Sequence, residues 1–100
     1  MEPYQITMSE FNPWKQEEWD TDVLDAQLHH LIIWNDEVNT FDWVIESLMD
    51  VCSHTQEQAE QCALLIHHQG KYAVKKGGFE TLRPMCEALI YRGINSTIDN

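Results

Sequence analysis

The sequence predicts an α+β fold: a two-layer sandwich in which a three-stranded antiparallel sheet is backed by three helices, in the order β-α-α-β-α-β. Three observations predict it: one nearly continuous apolar run, three amphipathic helical stripes, and two short segments in which apolar residues alternate. A chain of 100 residues allows one small domain. We expect that domain to occupy residues 27–100.

The first strand and the first helix lie close together in the sequence. Leu28 to Trp34 is rich in Leu, Ile and Trp, which is typical of a central strand. From Phe41 onward apolar residues recur at helical spacing, and Thr40 or Asn39 is the predicted N-cap. The few polar residues between the two elements must therefore make a tight turn.

The second helix and the second strand follow directly. Ser53 or Thr55 is the predicted N-cap of this helix, and Gly70 is its predicted end. One face of the helix carries small or apolar side chains, at Ala59, Cys62, Ala63 and Ile66. The segment from Lys71 to Lys75 then alternates apolar and charged residues, which predicts a strand with one face inward.

The third helix and the third strand complete the predicted domain. The apolar stripe of the helix consists of Leu82, Met85, Cys86, Leu89 and Ile90. A proline is compatible with the first turn of a helix but not with its interior, so Pro84 is predicted to lie in the first turn. Gly93 is the predicted end, and Ile94, Ser96 and Ile98 alternate in the last strand.

Residues 1–26 differ from the rest of the chain. They contain prolines, scattered aromatics and acids with no sustained period of two or of 3.6 residues. We interpret this segment as a mobile N-terminal arm. The alternative is a short docking motif whose aromatic side chains become ordered on a partner.

Composition and charge exclude several classes of function. The net charge of −11 argues against nucleic-acid binding, which needs clustered Lys and Arg, and it favours basic or cationic partners. No apolar run approaches the ~20 residues that cross a bilayer, and the first residues do not form a secretory signal. We therefore expect a cytoplasmic protein that does not act at a membrane, and we also expect it to be a monomer.

No residue set for catalysis or for metal binding is evident. Cys52, Cys62 and Cys86 fall at apolar helical positions, which indicates small buried side chains. Cys62 is turned well away from the helix face of His67, so the chain lacks a nucleophile beside a base. The histidines at 29, 30, 67 and 68 come in adjacent pairs that point apart, which disfavours a metal site. We expect no enzyme activity and no cofactor.

Asn35, Asp36, Glu37 and His67 allow two interpretations. The first three can form a solvated turn, and His67 can be a histidine at the edge of the core with one nitrogen bonded to backbone. Alternatively the turn and the helix face around His67 enclose a pocket with an anionic rim and an apolar floor. Such a rim suits an ammonium group.

Two stretches of this sequence carry a resemblance. LIIWNDEVNTFDWVIESL and QAEQCALLIHHQGKYAV resemble the ClpS adaptors of the bacterial N-end rule pathway, which deliver proteins with bulky apolar N-terminal residues to a Clp protease. The family signature is an apolar strand followed by Asn-Asp-Asp or a close variant, then Val-His-x-x-Gly-Lys at the end of the second helix. The corresponding positions are Asn35-Asp36-Glu37 and Ile66 to Lys71.

The resemblance implies a site and partners. Asn35, Asp36, Glu37 and His67 would surround the α-amino group of a substrate protein carrying an N-degron. The side-chain pocket would be lined by Asn39, Phe41, Val44, Ala63, Ile66 and Ile94. Glu80 and Arg83 would contact the N-terminal domain of the Clp AAA+ unfoldase.

Two positions depart from the family pattern. The family usually has Met at the position of Phe41 and often has Met at the position of Ala63. We predict that Phe, Tyr, Trp and Leu are accepted as first residues and that β-branched Ile and Val are disfavoured. A different interpretation is a non-catalytic interaction domain whose acidic turn binds a basic internal motif.

Overall fold

The computed structural model describes residues 28–100 and confirms the predicted fold class. The elements are β1 (His29–Trp34), α1 (Phe41–Cys52), α2 (Gln56–Gln69), β2 (Lys71–Gly77), α3 (Phe79–Tyr91) and β3 (Ser96–Asp99). The sheet order is β2-β1-β3, and both pairings are antiparallel. The arm predicted at residues 1–26 lies outside the described residues.

β1 is the central strand, as predicted. Leu31 and Ile33 are fully buried, and they belong to the core cluster that all three helices cover. The pairing with β2 shifts between Leu31 and Ile32, so that Val74 is an extra residue in β2 at a bulge. Val74 is itself fully buried, and the bulge therefore adds a core contact instead of a gap.

The helix boundaries follow from local capping bonds. The Thr40 hydroxyl accepts from the backbone N–H of Trp43 at 3.0 Å, which confirms one of the two predicted N-caps of α1. Thr55 and Gln58 form a reciprocal capping box at the start of α2. α2 ends at Gly70, whose φ of 88° is left-handed and favours glycine.

The three cysteines are buried and free, as their spacing predicted. Cys52 and Cys62 have no exposed surface, and Cys86 has only 8%. Burial raises the pKa of the Cys62 thiol to about 12. These side chains act as small apolar groups in the core.

Two predictions for α3 are wrong. The helix begins at Phe79, one turn earlier than the proline suggested, so Pro84 lies inside it. Pro84 cannot donate to the carbonyl of Glu80, and because Glu80 is exposed, water can reach that carbonyl. Ile90 is 55% exposed, whereas its neighbour Leu89 is fully buried. Consecutive side chains point about 100° apart around a helix, so Leu89 faces the core and Ile90 does not.

A hydrogen bond, a cation–π contact and an ion pair connect the C-terminal end of α3 to α1. The Trp43 indole donates to the backbone carbonyl of Arg92 at 3.0 Å, and the guanidinium of Arg92 lies 5.3 Å from the centroid of the Trp43 ring. The same guanidinium pairs with Asp50 at 3.2 Å. Ile94 is buried just beyond this contact, but it precedes β3 and is not part of the strand as predicted.

Candidate functional site

Three chain segments meet where β1 ends. The backbone N–H of Trp34 donates to the carbonyl of Asn95, and the N–H of Asn35 donates to the carbonyl of Gly70, both at 2.9 Å. These bonds hold the strand end beside the last turn of α2 and beside the segment before β3. Residues far apart in the sequence thus become neighbours around Asn35.

The turn after β1 is built on Asp36. One carboxylate oxygen accepts from the backbone N–H groups of Val38 and Asn39, and the other accepts from the Asn39 side-chain amide, each at 2.9 Å. The Asn39 amide also donates to the carbonyl of Gly93 at 2.9 Å. The backbone N–H of Asn39, with help from the other donors, holds the pKa of Asp36 below its usual value.

A hollow opens between this turn, α1 and α2. We call it the strand-end hollow, and it is lined by Ile33, Trp34, Asn35, Asp36, Asn39, Thr40, Phe41, Val44, Ala63, Ile66 and Ile94. Its floor consists of the buried apolar side chains of Ile33, Ala63, Ile66 and Ile94. The space open to the centre of a water molecule is about 30 Å³, and a single water needs ~10–15 Å³ on this measure. The hollow is therefore narrow.

Phe41 and His67 stand at the mouth. Their rings meet edge to face with centroids 5.8 Å apart, and Phe41 is 41% exposed. His67 is exposed and also lies 6.0 Å from the His68 ring. Because Phe41 borders the hollow directly, His67 is placed at its rim through that contact.

The predicted site residues thus come together, with two differences in placement. Eight of them line the strand-end hollow: Asn35, Asp36, Asn39, Phe41, Val44, Ala63, Ile66 and Ile94. His67 adjoins it through Phe41, and Glu37 is exposed on the turn without lining it. Asp36 also makes the bonds of the turn itself, as one of the two interpretations expected.

Sequence reasoning missed Ile33, Trp34 and Thr40. Ile33 lines the hollow as the last buried residue of β1, and the strand pattern signalled only that it is buried. Thr40 was recognised as a cap, and the cap position also faces the hollow. Trp34 is held by a 2.9 Å bond from its indole N–H to the Thr97 hydroxyl.

Glu80 and Arg83 lie on an exposed part of α3. The Arg83 guanidinium is 3.5 Å from the Glu80 carboxylate and 3.3 Å from that of Glu87. None of these three residues lines the strand-end hollow. Any role they have is therefore separate from that of the hollow.

Residues 28–100 contain neither a metal-binding cluster nor a membrane-spanning helix. Within this range no three His, Cys, Asp or Glu side chains are grouped closely enough to hold a metal ion. No helix of the range has both the length and the apolar composition needed to span a bilayer.

The fold and the site define a small two-layer recognition domain with an apolar hollow beneath a polar rim. A family model described as "ATP-dependent Clp protease adaptor protein ClpS" matches residues 25–93. The chain belongs to the ClpS family of Clp protease adaptors.

Individual relatives agree with this assignment. The ClpS adapter protein of Campylobacter jejuni is 40% identical over 50 residues, which cover 50% of this chain and 52% of the relative. That of Shewanella loihica is 32% identical over 56 residues, covering 56% and 55%. The alignments thus span about half the length of these curated relatives.

A solved structure supports the fold. Agrobacterium tumefaciens ClpS2, in a structure bound to L-phenylalaninamide, superposes with a TM-score of 0.68. The match covers 73% of this chain and 95% of that one, at 15% sequence identity. The similarity concerns the arrangement of helices and strands.

Proposed function

We propose that this protein binds the free α-amino group and the bulky apolar side chain of the first residue of other proteins, and delivers those proteins to a Clp unfoldase. The main support is that a polar rim and a buried apolar floor belong to the same hollow. The membership of the ClpS family supports it. So does the ligand of the Agrobacterium protein, since L-phenylalaninamide has a free α-amino group and an aromatic side chain.

In this proposal the rim binds the ammonium group. The Asn35 side-chain carbonyl and a His67 ring nitrogen accept hydrogen bonds from it. Asp36 and Glu37 contribute mainly through their negative charge, since the Asp36 carboxylate already accepts three bonds within the turn. An internal residue brings only one N–H, so it would leave acceptors unpaired.

The floor binds the first side chain. Val44, Ala63, Ile66 and Ile94 provide the apolar contacts, and Phe41, which also lines the hollow, contacts the side chain at the mouth. A charge-assisted hydrogen bond contributes ~1.5–3 kcal/mol and a buried Leu or Phe side chain ~1.5–3 kcal/mol. After the cost of association, a micromolar affinity results. Such an affinity allows both capture and release.

Delivery is a separate step in the proposal. Glu80 and Arg83 on α3 contact the N-terminal domain of the unfoldase, and residues 1–26 are engaged at its pore. The protein itself performs no chemistry on the substrate.

Calorimetric titration of two peptides tests the binding step. One begins with a free Leu, and its twin is acetylated at the same residue. Wild type is expected to bind only the free peptide, and Asn35→Ala to bind it at least ~10-fold more weakly. Asn100→Ala, which lies outside the strand-end hollow, serves as the control and should match wild type.

Equal affinity for the two peptides would refute the proposal. It would favour a domain that binds internal motifs through its acidic turn. Incubation of the free peptide with the protein, followed by chromatography, tests the non-catalytic part, because any loss of the first residue would reveal an enzyme.

A further inference from the structure

A second concave surface lies on the outer side of α1 and α2. We call it the α1–α2 groove, and it is lined by Asp42, Ile45, Glu46, Met49, Asp50, Gln56 and Glu60. It offers about 350 Å³ of space, compared with about 30 Å³ in the strand-end hollow. The two sites share no lining residue. We propose that the α1–α2 groove binds an extended segment of a partner protein in which basic and apolar residues alternate.

The groove combines two parallel stripes along α1. Asp42, Glu46 and Asp50 are spaced four residues apart and form an acidic stripe, while Ile45 and Met49 form an apolar stripe beside it. Met49 is 37% exposed, so its side chain is accessible to an apolar group of a ligand. A ligand with both cationic and apolar side chains would satisfy both stripes.

The charges of the groove are only partly compensated within residues 28–100. Asp50 pairs with Arg92, and Glu60 accepts from the Gln56 side chain at 3.0 Å. Among these residues no Lys, Arg or His forms an ion pair with Asp42 or Glu46. The middle of the acidic stripe is thus available to a cation from outside.

The spacing favours an extended ligand. Acids four residues apart on a helix are separated by about 6 Å along its axis, and alternate side chains of an extended chain are separated by about 6.6 Å. Lysines at every second position would therefore match Asp42, Glu46 and Asp50 in turn, with the intervening side chains toward Ile45 and Met49. Because these acids do not converge, a single metal ion is not the ligand.

Other occupants fit less well. Residues 1–27 of this chain carry seven acids and one Lys, so they would be repelled by the groove. A second copy brings a net charge of −11 of its own. A basic segment of a different protein is complementary in charge, and it would be attracted even before contact.

Fluorescence anisotropy with a labelled peptide tests the proposal. The probe is acetylated Lys-Leu-Lys-Leu-Lys, whose blocked end keeps it out of the amine site proposed for the strand-end hollow. We expect binding to wild type that weakens with added salt, and weaker binding of probes in which Ser replaces Leu or Glu replaces Lys. Binding should persist when the strand-end hollow is saturated with a Leu-initiated peptide.

Three variants within the groove and one control outside it test where the probe binds. Glu46→Lys is expected to reduce affinity for the probe about 10-fold, and Met49→Ser about threefold. Glu46→Gln, which perturbs the helix least, should reduce it about threefold and covers the case in which the lysine variant does not fold. Glu87→Lys makes the same charge change on α3 outside the groove and should stay within about twofold of wild type.

Two results would overturn the proposal. One is an equal effect of the Glu46 and Glu87 lysine variants, which would indicate attraction by net charge alone. The other is displacement of the probe by the Leu-initiated peptide, which would place it in the strand-end hollow. Failure of the Leu-initiated peptide to bind at all would contradict the proposed function but leave the groove measurement intact.

Discussion

The Phe41 ring meets the His67 imidazole edge to face at the mouth of the strand-end hollow, with centroids 5.8 Å apart and planes inclined at 78°. Phe41 is the first residue of α1 and His67 lies in the last turn of α2, so the contact links the two helices at the rim. Phe41 also lines the strand-end hollow, and it is 41% exposed. A change in the Phe41 side chain therefore affects both the wall of the hollow and the contact with His67.

Replacing Phe41 should relax the choice of first residue. Phe41→Ala removes the wall that crowds a β-branched side chain, so the preference for Leu-initiated over Ile-initiated peptides should fall from ~1–3 kcal/mol to below ~0.5 kcal/mol. Calorimetry with both peptides measures it. Phe79→Ala is a matched control, since Phe79 is 44% exposed, close to the 41% of Phe41, and lies outside the hollow. Unchanged discrimination in Phe41→Ala would remove Phe41 from the selection.

The Asp36 turn should be sensitive to acid. Its hydrogen bonds lower the pKa of Asp36 in the folded state below the ordinary 3.8. A lowered folded-state pKa means that the carboxylate stabilises the fold at pH values above 3.8 and loses that contribution as the pH falls through the folded-state value. Urea unfolding of wild type and Asp36→Asn should differ at pH 7, and the difference should shrink below pH 3.8. A difference that stays constant with pH would contradict this.

Arg83 should affect delivery but not peptide binding. Arg83→Ala is expected to slow degradation of a Leu-initiated substrate by the Clp unfoldase and peptidase, while the affinity for a Leu-initiated peptide stays within about twofold. Glu87→Ala is the control, because it removes the 3.3 Å ion pair with Arg83 and leaves the guanidinium in place. If both variants slow degradation equally, the helix itself is affected and Arg83 is not a contact residue.

The three cysteines should be protected in the native protein. Cys52 and Cys62 have no exposed surface, and burial raises the pKa of Cys62 to about 12, so little thiolate exists at pH 8. A chromogenic disulfide reagent should modify fewer than one thiol per chain in buffer and all three in urea. Rapid modification of the folded protein would show that the helices open readily.

The mouth of the strand-end hollow could be predicted only in part. The motifs indicate the Asn-Asp-Glu turn and His67; Asn35 and Asp36 line the hollow, and His67 adjoins it through Phe41. The side-chain amide of Asn39 donates to the Asp36 carboxylate and to the Gly93 carbonyl. The second bond could not be predicted, because no spacing in the sequence relates residues 39 and 93. Trp34 was likewise missed, since its partner Thr97 lies 63 positions away.

The sequence by itself determined the element order, two candidates for the N-cap of each of the first two helices, the end of α2 at Gly70 and the burial of the cysteines. These features depend on side chains within about four residues of one another, so local periodicity and capping chemistry are sufficient. Tertiary structure decided that α3 starts before Pro84, that Ile33 forms part of the floor, and that Phe41 faces His67. Such relations arise only when packing of the core sets the distances between helices and sheet.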